Sequence, residues 1–440
     1  MREDWEECTF EDLLDYEQPT KYIVRSTKYS DDFKTPVLTA GKSFIKGYTN
    51  ETTGIFNDLP TIIFDDFTTA TQFVDFPFKV KSSAMKILVP TSKLVNMKFV
   101  YNCIQVNQVR NDTHKRYWIS VYAKKKILLP SLVEQNAILS KTEELFSDLD
   151  NGIANFKKAQ EQLKIYRQAV LKQGIDGAFT ATWRNSESEL YVNLVDSLSN
   201  IDKSIDVKNI NEFNWIECRF GDLLDYEQPT KYIVKSTKYK DEYKIPVLTA
   251  GKSFIKGYTN ETTGIFDDIP TIIFDDFTTA SRYVDFRFKV KSSAMKILIP
   301  RSNLVNMKFM FYCMQVNQVR NDTHKRYWIS VYAKRKIFIP SPKEQTQIVQ
   351  EIESRLSVCD KMEQSITESI EKAEALRQSI LKKAFEGKLL SKAEIELCKK
   401  ETDYEPASEL LKKIKAEKAE RITNEKLRMT NKKKSGKSGK

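Results

Sequence analysis

Residues 36–70 read PVLTAGKSFIKGYTNETTGIFNDLPTIIFDDFTTA, and residues 246–280 repeat that string with two changes, Asn57/Asp267 and Leu59/Ile269. Working outward, the same offset of 210 residues aligns Trp5 with Trp215, Pro130 with Pro340 and Gly177 with Gly387 without a gap. Gln105–Lys124 is identical to Gln315–Lys334. A period this long marks a duplicated domain, since solenoid units run to roughly 20–50 residues. The length of 440 residues points the same way, because it exceeds what one apolar core usually organises.

Up to Pro130 and Pro340 each copy is a series of short β-rich runs. In the first copy these are Tyr22–Val24, Pro36–Thr39, Thr61–Phe64, Phe73–Phe78 and Lys86–Val89. Their β-branched and aromatic residues suit a half-buried pleated surface, and Gly41, Gly47 and Gly54 supply the turns between them. Asn96–Val109 reads as a helix packed on that sheet. The expectation is an α+β fold, a mixed α/β domain of about 130 residues present twice.

Past each proline the spacing becomes helical. Leu149, Phe156, Leu163 and Val170 recur every seven residues, interleaved with Ile138, Leu145, Ala159 and Tyr166. Ile352, Cys359, Ile366, Ala373 and Ile380 hold the same register in the second copy, joined by Ile348, Met362 and Leu376. Sustained heptads predict two long helices paired along a seam, each a rod of about 60 Å, with Leu149, Phe156, Leu163, Val170, Ile352, Ile366 and Ile380 as pairing residues. Gly152 and Arg355 interrupt that seam. An ordinary core helix is the alternative reading. The predicted order is a domain at 1–130, a long helix at 131–184, a linker at 185–213, a domain at 214–340, a long helix at 341–390 and a basic tail at 391–440.

The net charge of +11 is concentrated in that tail. Residues 411–440 carry a surplus of nine basic groups, which leaves +2 for the rest. The ending NKKKSGKSGK reads as a solvated, partly disordered extension. Six cysteines with no CxxC pair and two histidines, His114 and His324, argue against a zinc site, a disulfide framework or a His-rich metal centre. No long apolar run or signal segment is visible, so no membrane association is expected and a cytoplasmic address is the default.

No phosphate-cradling loop, Asn/Asp-Pro-Pro-aromatic signature of amino-methyltransferases or Gly-x-Ser-x-Gly elbow is present. Asp65-Asp66, repeated as Asp275-Asp276, reads as a strand–strand turn rather than a hydrolytic metal pair. Asp32-Phe33-Lys34 and Glu242-Tyr243-Lys244 fit half of a nuclease motif, but tripeptides of that kind are common. No catalytic or metal-binding residue is assigned. The richest segment is Val106–Lys126 with its twin Val316–Lys336, each holding six Lys/Arg against one Asp. Arg, Lys, Asn and Gln are the side chains that bond base edges and phosphates. The candidate DNA contacts are Gln105, Asn107, Gln108, Arg110, Asn111, His114, Lys115, Arg116 and Tyr117. Their counterparts are Gln315, Asn317, Gln318, Arg320, Asn321, His324, Lys325, Arg326 and Tyr327. Lys42 and Lys46, with Lys252 and Lys256, form a weaker phosphate-facing pair beside glycines. A solvated basic hairpin with Trp118 and Tyr122 in the core is the alternative.

Several stretches resemble the specificity subunits of type I restriction–modification enzymes. Lys126-Ile-Leu-Leu-Pro-Ser-Leu-Val-Glu-Gln135 and Lys336-Ile-Phe-Ile-Pro-Ser-Pro-Lys-Glu-Gln345 are similar to the junction that closes each target-recognition domain in that family. The helix endings around Arg167–Phe179 and Arg377–Leu389, and the stretch Asp403–Lys412, also resemble it. The resemblance implies a non-catalytic subunit whose two recognition domains each read half of a bipartite double-stranded DNA site. Long helices forming an antiparallel coiled coil, with pseudo-two-fold symmetry, set the separation. Two modification subunits methylating adenine N6 would be its partners, joined optionally by two restriction subunits. S-adenosylmethionine, ATP and Mg would serve those partners, with no cofactor bound by this chain. The family usually carries dissimilar recognition domains, whereas these are nearly identical. A palindromic or near-palindromic site is therefore expected, unless Gln72/Arg282, Pro77/Arg287, Thr91/Arg301 or Asn102/Tyr312 touches DNA. A stand-alone Mg-dependent nuclease with a helical dimerisation arm, using Asp65 and Asp66, and a protein-binding scaffold are the competing readings.

Overall fold

A computed structural model of the chain describes residues 2–41, 43–109, 116–186, 209–251, 253–319 and 326–435. It divides into two compact units, Met1–Asn155 with Ser369–Lys440, and Phe156–Glu368.

The first unit holds nine strands: β1 (Glu6–Thr9), β2 (Leu14–Glu17), β3 (Thr35–Leu38), β4 (Ile45–Thr49), β5 (Thr61–Asp65), β6 (Thr71–Val74), β7 (Lys79–Val80), β8 (Met85–Pro90) and β9 (Lys126–Leu129). They form a four-stranded sheet ordered β2-β8-β5-β6, a three-stranded sheet ordered β4-β3-β7, and a β1-β9 ribbon. β5 explains why its sequence is apolar without alternation. Successive side chains of a strand point to opposite faces, and here both faces are covered. Ile62 and Phe64 enter a core with the helix Met97–Val106, while Ile63 enters another with Leu38, Phe56, Val74 and Ile87. The helix starts where the Asn96 side chain accepts the Phe99 N–H, and ends where Asn107 Nδ2 donates to Cys103 O, 2.9 Å away.

Some expected elements differ. Tyr22–Val24 is not a strand: Pro19–Tyr22 forms a 3-10 turn, and Ile23 makes a single bridge to Val80. The run Phe73–Phe78 is strand only to Val74. The basic tail is helical over Lys392–Lys400 and Ala407–Ser435, while residues 436–440, the last part of the ending read as disordered, lie outside the described residues. Leu410, Leu411 and Ile414 fall on one helical face and are buried in the core of the first unit. Lys415 pairs with Asp12, and Arg421 with Asp15, 2.8 Å apart. An apolar stripe of three residues, hidden among lysines, therefore docks the tail.

The second unit repeats the plan with β10 (Ile216–Arg219), β11 (Leu224–Glu227), β12 (Ile245–Leu248), β13 (Ile255–Thr259), β14 (Thr271–Asp275), β15 (Ser281–Val284), β16 (Lys289–Val290), β17 (Met295–Pro300) and β18 (Lys336–Ile339). The sheets are ordered β11-β17-β14-β15, β13-β12-β16 and β10-β18. All six cysteines of the chain are buried and free.

Each unit also contains a pair of helix segments, drawn from the long helices Leu132–Ile175 and Pro342–Phe385. In the second unit Arg167 bonds Asp360 at 2.6 Å and Glu363 at 2.9 Å. A Cβ on Gly174 would lie 2.5 Å from Ile352. Numbers rise along one segment as they fall along the other, so the pair is antiparallel. Arg377 makes the matching pair with Asp150 in the first unit and covers the Phe146 ring at 4.4 Å. Leu163, Val170, Ile352, Ile366 and Ile380 are buried, and Leu149 and Phe156 half-buried. Tyr166, Met362 and Leu376, read as part of the seam, are exposed at 49–51%. The break at Arg355 is filled, because its guanidinium stacks 4.1 Å from the Phe179 ring.

The Glu-Gln pair after each domain is a fastener. Glu344, 4% exposed, accepts Trp215 Nε1–H (3.0 Å), the Thr180 hydroxyl (2.9 Å) and Arg184 Nε–H (2.8 Å). Gln345 Nε2 donates to Pro340 O and Leu304 O, each at 3.0 Å. Gly177, at φ +80°, adopts the left-handed region and leaves room for the Trp215 ring, 2.9 Å from where a Cβ would be. In the first unit Glu134 accepts Trp5 Nε1–H at 3.1 Å and pairs with Arg2 at 2.6 Å. Burial pushes the Glu134 carboxyl above its ordinary range, with Arg2 opposing.

Candidate nucleic-acid interface

The segment Gln105–Lys124 leaves the helix Met97–Val106 and returns to the sheet. On the way out, Gln105 Nε2 donates to Thr71 Oγ1, Gln108 Nε2 donates to Gln105 Oε1 at 3.0 Å, and Val109 N–H donates to the Tyr122 hydroxyl at 3.0 Å. On the return, Asp66 takes hold. Its backbone carbonyl accepts Tyr117 N–H at 3.0 Å and its Oδ1 accepts Trp118 N–H at 2.8 Å. Beneath this clamp the Phe64 ring meets Trp118 and Tyr122 edge-on at 5.5 and 5.1 Å. The second copy repeats it: Asp276 accepts Tyr327 N–H at 3.0 Å and Trp328 N–H at 2.7 Å. Both ends of the basic segment are thus pinned to rigid parts of the domain.

Arg116 and Arg326, Lys46 and Lys256, and Gln108 and Gln318 are exposed. Asn107 and Asn317 cap their own helices, and Gln315 Nε2 donates to Ser281 Oγ at 2.9 Å. Tyr117 and Tyr327, expected on the DNA-facing surface, are 4% exposed and belong to the core instead, because the clamp turns their side chains inward. Lys42, Arg110, Asn111, His114, Lys115, Lys252, Arg320, Asn321, His324 and Lys325 lie outside the described residues, as does most of the 185–213 linker.

The paired carboxylates have separate structural roles. Asp65 Oδ1 accepts the N–H groups of Phe67 and Thr68, at 2.9 and 2.8 Å, and closes the β5–β6 turn. Asp66 is 3% exposed, and its second oxygen faces the buried Lys86 ammonium 3.9 Å away. Burial pulls that ammonium below its ordinary value, with Asp66 opposing. Lys86 also donates to Gln18 Oε1 at 3.2 Å. Among the described residues no group of three or more His, Cys, Asp or Glu side chains could hold a metal ion, and no helix is long and apolar enough to cross a membrane.

The positions where the copies differ fall outside Gln105–Lys124. Arg282 lies 6.0 Å from the Phe254 ring, Arg287 is exposed, and Arg301 is 3.9 Å from Asp225. Thr91 is buried with its hydroxyl on Leu13 O, and Tyr312 is 8% exposed. The sequence did not disclose Asp66 as the anchor of the basic segment. Its signal was the odd second aspartate, one more than a turn requires.

Residues 212–372 match the family described as the type I restriction modification DNA specificity domain. The specificity subunit of the type I restriction enzyme EcoR124I/EcoR124II from Escherichia coli is 51% identical over 136 residues, 30% of this chain and 33% of that protein. The StySPI specificity subunit from Salmonella potsdam is 27% identical over 316 residues, covering 67% and 64%. The matched stretches therefore span a third and just under two thirds of those relatives. The EcoDI specificity subunit of Escherichia coli is 24% identical over 358 residues, covering 74% and 78%. A solved structure described as the basis of complex assembly and conformational transition of the type I R-M system has the same fold. Its TM-score is 0.63 at 13% identity, over 88% of this chain and 99% of that one. With a duplicated module and antiparallel helix segments in each unit, the chain carries the type I restriction modification DNA specificity domain at residues 212–372 and is similar, over the stretches matched, to the specificity subunits of type I restriction enzymes.

Proposed function

We propose that this chain is the non-catalytic DNA reader of a type I restriction–modification complex in the cytoplasm. Each module reads one half of a bipartite double-stranded site and directs adenine-N6 methylation, and restriction, by partner subunits. Two modification subunits would supply S-adenosylmethionine chemistry, and two restriction subunits, where present, ATP- and Mg-dependent translocation and cleavage. The observation that carries this reading is the basic Gln105–Lys124 segment, present identically in both copies and pinned by Asp66 and Asp276 with Arg116 and Arg326 exposed. Identical reading segments favour identical half-sites, so the proposed target is an interrupted palindrome. Mapping methylated adenines in cells expressing the chain with its methyltransferase should return the same bases on opposite strands. Two unrelated half-sites would rule the palindrome out.

Arg116→Ala is expected to weaken DNA binding in one of two distinguishable ways. A lost base-edge contact costs about 1–3 kcal/mol and relaxes one position of the site. A lost phosphate contact weakens all sequences alike and lowers the salt slope by about one charge. Salt titrations on matched and mismatched duplexes separate the two. Unchanged affinity and unchanged slope would remove Arg116 from the interface.

A further inference from the structure

Three large apolar side chains are exposed among the described residues 2–129: Ile45, Phe67 and Ile119. Scattered single cases are ordinary on protein surfaces. Two of these three, however, flank the same clamp. Phe67, 42% exposed, directly follows Asp66, and Ile119, 46% exposed, directly follows Trp118, whose N–H is held by the Asp66 carboxylate. Phe277 and Ile329 repeat the arrangement at 43% and 49%.

The turn presenting Phe67 is fixed by several bonds. Asp65 Oδ1 holds Phe67 N–H and Thr68 N–H, Asp65 N–H donates to Ala70 O at 2.8 Å, and Thr69 N–H to Asp65 O at 2.9 Å. Thr69 has φ 59°, a conformation a β-branched residue adopts only when its surroundings impose it. Arg116, exposed, lies one residue before the Tyr117 end of the clamp. Along the chain the clamp is therefore flanked by an exposed aromatic side chain on a fixed turn, an exposed aliphatic side chain and an exposed cation.

We propose that Phe67 and Phe277, supported by Ile119 and Ile329, act as wedges that press between stacked base pairs within each half-site. The inference rests on the DNA-reading function proposed above. Apolar wedges unstack a base step at a cost of a few kcal/mol, and a tip whose backbone is already fixed loses less entropy on insertion than a mobile loop would. A step that unstacks easily, such as TA or CA/TG, would be favoured there without a base-edge hydrogen bond. The pair thus adds a specificity determinant distinct from the basic segment.

The test uses the full chain and duplexes that it selects from a randomised pool, with 2-aminopurine placed at each step in turn. Wild-type chain is expected to raise fluorescence at one step per half-site. Phe67→Ala with Phe277→Ala should abolish the rise and weaken binding on the order of 100-fold, in the range of two lost base–aromatic stacks, with the salt slope unchanged. Phe67→Trp with Phe277→Trp should retain both, and far-UV circular dichroism should match wild type throughout. Wild-type affinity and fluorescence in the alanine variant would overturn the proposal, as would binding by wild type with no fluorescence rise at any step. A selection that enriches no sequence would instead overturn the DNA-reading function itself.

Discussion

Glu344→Ala is expected to destabilise the Phe156–Glu368 unit by about 3 kcal/mol, within the range for breaking a buried ion pair. For a unit of that size the melting temperature should fall by roughly 10 °C in calorimetry of the full chain. The carboxylate is buried and accepts from Trp215, Thr180 and Arg184 at once. Truncation leaves the buried Trp215 indole N–H without its acceptor and takes the counter-charge from Arg184, which keeps only Gly177 O and the Thr180 hydroxyl, so the loss carries a desolvation cost. Glu344→Gln keeps an acceptor oxygen for the neutral donors and should recover at least half of the loss. If the alanine variant melts with wild type, Glu344 is not the fastener inferred here. The same measurement bears on the Pro-x-x-x-Glu-Gln spacing, which the sequence presents only as a pattern. In the structure the glutamate holds the domain's tryptophan, while the glutamine holds the carbonyl of the preceding proline.

That contrast marks where the sequence was legible. The duplication could be read because Trp5–Gly177 recurs at an offset of 210 without a gap, and the long helices because their apolar positions recur every seven residues. The short edge strands were not. β1 and β9 are four residues each, EECT and KILL, and become strands only because each completes the other's hydrogen bonds across 120 residues of chain. Their pairing is tertiary, and local propensity is a weak guide to it. The docking of the tail was hidden for the opposite reason. Its charge is obvious and its Leu410-Leu411-Ile414 stripe is small, yet burial of those three side chains outweighs the solvation preference of the lysines beside them, which stay outside. The heptad reading erred at Tyr166, Met362 and Leu376. These interleaved positions lie beside the seam rather than in it, since a straight helix drifts out of a 3.5-residue repeat.

At the candidate interface, composition located the basic segment, but composition has no direction. Tyr117 looked like a surface contact beside Arg116 and is a core residue, because the hydrogen bonds from Tyr117 and Trp118 to Asp66 fix which way the chain turns. Asp66 itself reads as half of an acidic pair, the kind of pair a nuclease would use. Asp65 serves the turn and Asp66 serves the clamp, so adjacent identical side chains do different work because alternate residues of a strand end face opposite sides.

Asp276→Ala should therefore affect the proposed recognition although Asp276 is buried and acts only through the segment it holds. It removes the acceptor of Trp328 N–H and leaves Lys296, 4.0 Å away, buried without its counter-charge. A stability loss of about 2 kcal/mol is expected. If the segment reads bases as proposed, affinity for a selected duplex should fall on the order of 100-fold, because misplacing it would forfeit more than one base contact worth about 1–3 kcal/mol each. Asp276→Asn keeps the side-chain oxygen that receives Trp328 N–H and loses only the charge, so it should bind nearly as wild type. Competition between matched and mismatched duplexes reads this directly. Were Asp276→Ala to discriminate as well as wild type, the basic segment would be held by something other than the clamp, and positioning of Arg326 through Asp276 would have to be abandoned. Were Asp276→Asn as poor as Asp276→Ala, the charge facing Lys296 would be the controlling feature, and the hydrogen bond to Trp328 secondary.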